Sequence, residues 1–208
     1  MPQVSQRGIE LPASPIRKLT PFADQAKKRG MKVYHLNIGQ PDLPTPEKAL
    51  NAVRKIGRKT LEYSPSQGLK SLRDKFAVYY RKFGIDLSPE QIIVTAGGSE
   101  ALLATFLTCF DEGDEVIITE PGYANYLGFA KAAGLVVKAV TSRIEDRFAL
   151  PSAEDFRKAI TPKTKAILIC NPNNPTGYLY SPEELFQLRD LVKEYDLFLI
   201  ADEVYREF

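Results

Sequence analysis

From Ser88 onward, short apolar runs alternate along the chain with segments whose apolar residues recur at helical spacing. Runs of consecutive Val, Ile and Leu are typical of parallel strands that are covered on both faces. The alternation therefore predicts an α/β fold, a mainly parallel sheet with helices on both faces. The predicted strands are Gln91–Thr95, Glu115–Thr119, Leu135–Val140, Lys165–Cys170 and Leu197–Ala201, and the predicted helices are Ser99–Phe110, Tyr123–Ala133, Ser152–Ile160 and Pro182–Tyr195.

The N-terminal part of the sequence is less regular. Prolines at positions 2, 12, 15 and 21 argue against a continuous helix before Gly30 and predict an arm with short helical pieces. A short strand at Tyr34 is predicted to run into a loop rich in Gly and Pro, and helical spacing returns at Pro46–Gly57 and Gly68–Phe83. A loop with this many restricted dihedral angles is usually shaped for a purpose.

Composition and charge exclude several classes of function. The 208 residues are 44% hydrophobic and carry a net charge of +2, which permits a sizeable core and gives no electrostatic case for binding nucleic acid. No apolar run approaches the roughly 18 residues that a membrane span needs, and the N-terminus lacks the apolar core of a secretory signal. Cys109 and Cys170 lie in apolar contexts and predict buried thiols, and no metal-ligand spacing occurs. We expect a cytoplasmic protein.

Polar side chains follow two predicted strands at the points where the strands end. Asp202 and Tyr205 come after Leu197–Ala201, and three amides and two prolines in Asn171–Gly177 follow the strand before it. The carboxyl ends of parallel strands meet at one edge of a sheet, so these groups could hold one ligand. A carboxylate there needs a compensating partner, for which a protonated ring nitrogen is suitable. The alternative is an Asp that caps a loop or pairs with an arginine, with Tyr205 packing.

A second candidate feature is a glycine-rich strand-to-helix turn at Gly97, Gly98 and Ser99. Backbone N–H groups and a hydroxyl at a helix N-terminus suit a phosphate, although tight turns also use glycine for steric reasons alone. Tyr123, in the loop after another strand, could offer a ring face for stacking or belong to the local core. The single histidine, His35, is interpreted as structural because no second ligand or nucleophile lies near it in sequence.

Taken together, these features resemble the class I/II aminotransferases, which are pyridoxal-phosphate (PLP) enzymes of fold type I. The resemblance covers residues 14–208 and rests on six motifs in the family's order and approximate spacing. Each motif alone is weak evidence, whereas six in order are specific. The motifs are Ser14-Pro-Ile-Arg17, Leu36-Asn-Ile-Gly-Gln-Pro-Asp42, Tyr63 with Gly68 and Leu72-Arg73, Val94-Thr-Ala-Gly-Gly-Ser99, Asn173-Asn-Pro-Thr-Gly177 and Asp202-Glu-Val-Tyr205.

The resemblance implies which residues hold the phosphate and the ring face of the cofactor. Gly97, Gly98 and Ser99 would bind the phosphate, and Tyr123 would stack on the pyridine ring. Tyr63 matches a tyrosine that reaches the phosphate of the neighbouring subunit. The resemblance therefore implies a homodimer with a shared site.

The resemblance also assigns the polar edge of the ring and the substrate. Asn174 and Tyr205 would hydrogen-bond the phenolic oxygen of PLP, and Asp202 would pair with the pyridine nitrogen. An ionised carboxylate keeps that nitrogen protonated, which makes the ring an electron sink. Gly39 lies where the family's backbone meets the substrate carboxylate, and Asn174 would also face the substrate.

One departure from the family's pattern concerns catalysis. The family's Schiff-base lysine follows the strand after the Asp202–Tyr205 motif, and no lysine of this chain matches it; Lys165 and Lys193, for example, lie on the preceding strand and helix. The arginine that binds the substrate carboxylate in the small domain is also missing. We therefore expect this chain to be the N-terminal part of an aminotransferase and to be inactive alone. Residues 1–45 are expected to form an arm and substrate loop, and residues 46–208 a truncated PLP-binding large domain.

The function implied is transamination between an α-amino acid and a 2-oxo acid by a ping-pong mechanism. The alternative is a non-catalytic PLP-binding or dimerisation module. A lyase or decarboxylase would share every motif, and a regulator's effector domain would need a DNA-binding domain before the arm. In the resembling fold two further strands lie beside Gln91–Thr95, so that strand is expected to lack a neighbour here.

Overall fold

Four parallel strands form the sheet in the part of the chain that the computed structural model describes, residues 2–39 and 43–208. Their spatial order is β2-β1-β3-β4, and all three pairings are parallel. This arrangement confirms the predicted α/β class. The strands are β1 (Glu115–Glu120), β2 (Val136–Thr141), β3 (Thr164–Cys170) and β4 (Phe198–Asp202).

The chain separates into two compact units, Leu19–Thr95 and a second unit that joins the residues up to Lys18 with Ala96–Phe208. The sheet belongs to the second unit. The domain boundary predicted at residue 45 stays a prediction. The motif Leu36–Asp42 is described only in part, because its last three residues, Gln40, Pro41 and Asp42, lie outside the described residues. The helices are α1 (Gln6–Glu10), α2 (Thr20–Lys28), α3 (Glu47–Arg54), α4 (Lys70–Arg81), α5 (Gly98–Cys109), α6 (Asn125–Ala132), α7 (Ala153–Ala159) and α8 (Pro182–Glu194).

Helices cover both faces of the sheet because alternate residues of each strand point to opposite sides. Val116 of β1 packs in one cluster with Phe106 of α5, while its neighbour Ile117 packs in another with Phe156 of α7 and Leu188 of α8. All five side chains are fully buried. Burying side chains of this size stabilises the fold by about 1.5 to 3 kcal/mol each, so the two clusters fix the strands that carry the site.

The start of α8 shows how the sequence sets a helix boundary. The hydroxyl of Ser181 accepts a hydrogen bond from the Glu184 N–H at 3.2 Å, and the Glu184 carboxylate accepts one from the Ser181 N–H at 2.7 Å. Pro182 occupies the first helical position, where a missing N–H costs nothing. The predicted start of this helix is therefore confirmed, and the helix delivers the chain directly into β4.

The predicted strand Gln91–Thr95 is wrong. Residues Pro89–Gln91 form a 3₁₀ turn, and the segment after it is irregular. Its Val94 N–H donates to the carbonyl of Gln67 at 3.0 Å, but no strand within the described ranges pairs with it. A strand needs a ladder partner to satisfy its backbone groups, and a β-rich local sequence cannot supply one.

The short strand predicted at Tyr34 is also absent, for the same lack of a partner strand in the described residues. The arm does contain short helical pieces, as the prolines predict. Its helix α1 lies on the sheet unit, where Arg7 pairs with Glu112 at 2.9 Å and Glu10 pairs with Lys131. Exposed ion pairs of this kind contribute little stability, because solvent screens them.

Candidate cofactor site

A cavity of about 170 Å³ opens where β3 and β4 end. Cys170 is the last residue of β3 and lies opposite Asp202, the last residue of β4. Ligands of open α/β sheets bind at this carboxyl edge, and the volume suits one small ring compound rather than a dinucleotide. The cavity is lined by Gly98, Ser99, Leu102, Tyr123, Tyr126, Cys170, Asn174, Asp202, Val204 and Tyr205.

The carboxylate of Asp202 is half-buried and held by two hydrogen bonds. The Tyr126 hydroxyl donates to Oδ2 at 2.7 Å, and the Val204 N–H donates to Oδ1 at 3.1 Å. The second bond is the loop-capping role that the sequence left open for Asp202. No salt bridge to this carboxylate forms within residues 2–39 and 43–208, so the cationic partner that its position requires is not supplied by the described chain.

Tyr126 is a cavity residue that the sequence analysis did not single out. Burial raises the pKa of its hydroxyl far above the ordinary value, and the hydrogen bond to Asp202 raises it further. Both effects favour the protonated hydroxyl that donates to the carboxylate. In the predicted helix Tyr123–Ala133, Tyr126 lies three residues after Tyr123, a spacing that puts two residues on one side of a helix, although α6 begins only at Asn125.

Asn174 and Tyr205 meet across the ends of β3 and β4. The Asn174 Nδ2 donates to the Tyr205 hydroxyl at 3.1 Å. The turn around Asn174 is held from both sides, because Asn171 Oδ1 accepts from the Tyr180 N–H at 3.0 Å and the Gly177 N–H donates to the Asn173 carbonyl at 2.8 Å. This turn positions the Asn174 amide beside the Tyr205 phenol, and both side chains line the cavity.

Tyr123 lines the cavity and also packs against the core cluster beneath it. Its hydroxyl accepts a hydrogen bond from Asn125 Nδ2 at 2.6 Å, and its ring lies edge-on to Tyr126 with centroids 5.3 Å apart. The packing against the local core that the sequence left open is therefore observed, and stacking on a ligand stays a prediction. A ring held at its hydroxyl and its edge keeps a fixed orientation against a planar ligand.

The N-terminus of α5 forms the third side of the cavity. Gly97 precedes the helix with a φ of 82°, a conformation that strains any residue with a Cβ, and Gly98 and Ser99 line the cavity. The first N–H groups of a helix have no intrahelical partner and carry its positive end. One neighbouring group is already engaged, since the Ala96 N–H donates to the Glu100 carboxylate. The arrangement suits an anion such as a phosphate.

Two predicted site residues belong to the other unit. Tyr63 is fully exposed, and Gly39 lies in an exposed loop.

Among the described residues that line the cavity, none is a lysine. No group of three or more His, Cys, Asp or Glu side chains in the described ranges could hold a metal ion, and none of the described helices is long and apolar enough to cross a membrane.

The fold and the cavity define an α/β protein with a small cavity at the carboxyl edge of its sheet, suited to a ring compound that carries an anionic group. The family model for aminotransferase class I and II matches residues 31–208. The chain belongs to this family, which confirms the resemblance found in the sequence.

Relatives of known structure share the fold over nearly the whole chain. The aspartate/prephenate aminotransferase of Thermus thermophilus is 38% identical over 183 residues, which is 87% of this chain and 47% of that protein. A structure of Thermus thermophilus aspartate aminotransferase with maleate matches with a TM-score of 0.91 at 36% identity over 98% of this chain and 54% of its own. The structure of an alanine aminotransferase from Pyrococcus furiosus matches with a TM-score of 0.91 at 36% identity. The match covers 98% of this chain and 52% of that protein. The chain spans about half the length of these relatives.

Aminotransferases of class I and II are pyridoxal-phosphate enzymes, and the cavity can be tested against that cofactor. PLP presents a phosphate, a protonatable ring nitrogen and a phenolic oxygen. The cavity presents a helix N-terminus, a half-buried carboxylate without a cationic partner among the described residues, and an amide paired with a phenol. The residues present therefore fit the group.

Proposed function

We propose that this chain supplies the cofactor-holding half of a PLP-dependent aminotransferase that moves an amino group between an α-amino acid and a 2-oxo acid in two half-reactions. When bound, PLP supplies a protonated ring that withdraws electrons from the substrate α-carbon. The observation that carries the proposal is the Asp202 carboxylate, fixed at the end of β4 by two donors and facing a cavity. A fixed carboxylate without a cation among the described residues suits a protonated ring nitrogen.

The other cavity residues divide the remaining binding tasks. Gly97, Gly98 and Ser99 hold the phosphate at the start of α5, where the helix dipole favours negative charge. Tyr123 covers one face of the ring. Support comes from the position of its ring, which Asn125 and Tyr126 fix at its hydroxyl and its edge.

Asn174 and Tyr205 bind the phenolic oxygen, and Asn174 also faces the substrate. Their mutual hydrogen bond of 3.1 Å supports this role, because it points both polar groups into one small volume. The Tyr205 hydroxyl accepts from Asn174 and keeps its own proton free to donate to an oxygen anion. The two residues thus stabilise negative charge on that oxygen.

The substrate and the assembly complete the proposal. The names of similar relatives include aspartate, prephenate and alanine, so the proposal stops at α-amino acids and their 2-oxo acids. Gly39 contacts the substrate carboxylate, and Tyr63 reaches the phosphate of a second subunit in a homodimer. The full exposure of Tyr63 supports a role outside its own chain. Free Cys109 and Cys170 suit the reducing cytoplasm in which we place the enzyme.

We further propose that the Schiff-base lysine and the small domain belong to a longer chain of which these 208 residues are the N-terminal part. The chain's coverage of about half of each relative supports this statement. The intact mass of the protein made from its native gene, compared with 23.3 kDa, tests it. A mass about twice as large is expected, and a mass of 23.3 kDa would contradict it.

The experiment for the cofactor itself is an equilibrium titration of the purified protein with PLP. Saturable binding of one PLP per chain, weakened by Ser99→Ala, is expected because the hydroxyl lies at the proposed phosphate site. Absence of saturable binding in the full-length protein would overturn the proposal.

A second candidate function, a non-catalytic PLP-binding or dimerisation module, is favoured by one observation: the described residues lining the cavity include no lysine. Borohydride reduction of the PLP-loaded protein made from its native gene separates the two functions. An aminotransferase fixes PLP covalently on reduction, because a lysine holds it as an imine. A binding module releases PLP on denaturation after the same treatment.

A further inference from the structure

We propose that Asn173 is a positioning residue that holds the loop carrying Tyr123 in register with the turn carrying Asn174. The inference rests on the proposed function, because Tyr123 and Asn174 are the side chains assigned to the ring face and its phenolic oxygen. Asn173 itself does not line the cavity. It therefore acts through its two neighbours.

The contacts of one amide group carry the argument. The Asn173 Nδ2 donates to the Pro121 carbonyl at 3.0 Å and to the Thr176 hydroxyl at 2.7 Å. Pro121 lies two residues before Tyr123 in the loop after β1, whereas Asn173 lies one residue before Asn174 in the turn after β3. A single NH₂ group thus bridges the two loops that carry the proposed ligands.

The orientation of this amide follows from the chemistry of its neighbours. The Pro121 carbonyl can only accept a hydrogen bond, so the amide nitrogen must face it. As a result, Asn173 Oδ1 is buried without a hydrogen-bond partner among the described residues. Proteins rarely leave a buried oxygen unpaired, because the lost solvation is not recovered. Here the unpaired oxygen accompanies two donated bonds, which indicates that the donors determine the side chain's position.

The backbone of Asn173 is equally fixed. Its N–H donates to the Tyr178 carbonyl at 2.8 Å, and its carbonyl accepts from the Gly177 N–H at 2.8 Å. The residue is 7% exposed. A side chain anchored in this way holds the Pro121 carbonyl at a fixed position relative to the turn after β3.

The loop on the other side is also anchored at its start. The Ser142 hydroxyl donates to the Glu120 carbonyl at 2.8 Å, which holds the start of the loop. At Gly122 a Cβ would lie 2.7 Å from the Thr119 carbonyl oxygen, so the loop turns too tightly there for any side chain. Asn173 binds the loop at Pro121, between Glu120 and Gly122 and two residues before Tyr123. Loss of its donors is therefore expected to loosen the part that carries Tyr123 and to leave the strand intact.

The test compares two substitutions of the same kind in the same turn. Asn173→Asp removes the donors and places a carboxylate against the Pro121 carbonyl. Asn171→Asp is the matched control, because it adds the same charge but keeps the oxygen that accepts from the Tyr180 N–H. Amide hydrogen exchange of residues 122–126 is measured in both proteins without cofactor. We expect about tenfold faster exchange there in Asn173→Asp only, with β1 and β3 unchanged.

A purely structural role gives a different result. If Asn173 only stabilised the fold, Asn173→Asp would accelerate exchange in β1 and β3 as much as in residues 122–126. It would also lower the midpoint of urea unfolding. Equal exchange of residues 122–126 in the two variants would also overturn the inference. If Asn173→Asp does not fold, the neutral variant Asn173→Ser provides the same comparison, since its shorter side chain cannot reach Pro121.

A titration with PLP connects the loop to the site. Asn173→Asp is expected to bind PLP about tenfold more weakly than Asn171→Asp. Unchanged PLP affinity in Asn173→Asp, with normal binding by the unsubstituted protein, would defeat the inference and leave the proposed function standing. If the unsubstituted protein binds no PLP, the proposed function fails, and the exchange measurement still decides whether Asn173 positions the loop.

Discussion

The hydroxyl of Tyr126 lies 2.7 Å from Oδ2 of Asp202, and this hydrogen bond joins α6 to the end of β4. The two residues are 76 positions apart in the sequence. The bond fixes the plane of the carboxylate, because the Val204 N–H holds the other oxygen. A carboxylate with both oxygens engaged keeps a fixed orientation where it lines the cavity.

Tyr126→Phe is expected to weaken both folding and cofactor binding. Loss of a hydrogen bond to a charged group lowers the free energy of unfolding by about 1.5 to 3 kcal/mol. An Asp202 held only by the Val204 N–H is expected to bind PLP several-fold more weakly. Urea unfolding and PLP titration provide the two measurements.

Tyr180→Phe is the matched control, because the Tyr180 hydroxyl lies 3.2 Å from the Thr119 hydroxyl and Tyr180 is absent from the lining of the cavity. It should lose stability and keep its PLP affinity. Equal PLP affinity in both variants would show that Tyr126 serves the fold alone.

Tyr123→Ala is expected to weaken PLP binding by on the order of 1 kcal/mol, through loss of stacking. Tyr123→Phe removes only the hydrogen bond from Asn125 and should retain most of the affinity. PLP titration of the two variants measures the difference. Unchanged affinity in Tyr123→Ala would assign this ring to the core.

Asp202→Asn should leave PLP bound in the full-length enzyme and lower its turnover by at least about a hundredfold. A neutral amide cannot keep the ring nitrogen protonated, so the electron-withdrawing power of the ring falls. The assay is amino-group transfer to a 2-oxo acid. Glu203→Gln, which neutralises the exposed neighbouring carboxylate, should keep normal turnover. Near-normal turnover in Asp202→Asn would refute the role given to Asp202.

Glu115, at the opposite end of β1, provides a prediction of pH dependence. Burial tends to raise the pKa of its carboxyl, but hydrogen bonds from Thr161 and Thr164 and the charge of Lys138 outweigh burial and lower the pKa below its ordinary 4.5. A lowered pKa in the folded state stabilises the protein above pH 4.5, and this contribution is lost as the pH falls below that value.

Glu115→Gln is therefore expected to lower the free energy of unfolding by about 1 to 3 kcal/mol at pH 7. The difference from the unsubstituted protein should shrink as the pH falls from 4.5 through the lowered pKa of Glu115, below which both side chains are neutral. Urea unfolding at several pH values measures it. A difference that is constant with pH would show that the charge of Glu115 plays no part.

The sequence predicts the strands of the sheet well because each is a short apolar run, buried in β1 and β3 and largely exposed in β4. Leu197–Ala201 and the observed β4, Phe198–Asp202, differ by one residue at each end. Gln91–Thr95 carries the same local pattern and forms no strand. Strand pairing depends on a neighbour distant in sequence, and local propensity does not contain that information.

The same distinction applies to the site. The candidates Asn174, Asp202 and Tyr205 could be named from the sequence because strand ends meet at one edge. Tyr126 and Asn173 could not be assigned roles, since each acts through a bond to a loop or strand far along the chain. Contacts of this kind depend on how α6 and the turns pack, which periodicity does not specify.

The proposed contact between Asp202 and the protonated ring nitrogen of PLP can be measured with an analogue that has carbon in place of that nitrogen. The analogue keeps the phosphate, the ring face and the phenolic oxygen, so only the contact with Asp202 changes. We predict that the protein binds the analogue at least about tenfold more weakly than PLP, and that Asp202→Asn reduces this difference severalfold. Equal affinity of the unsubstituted protein for the two compounds would contradict the claim.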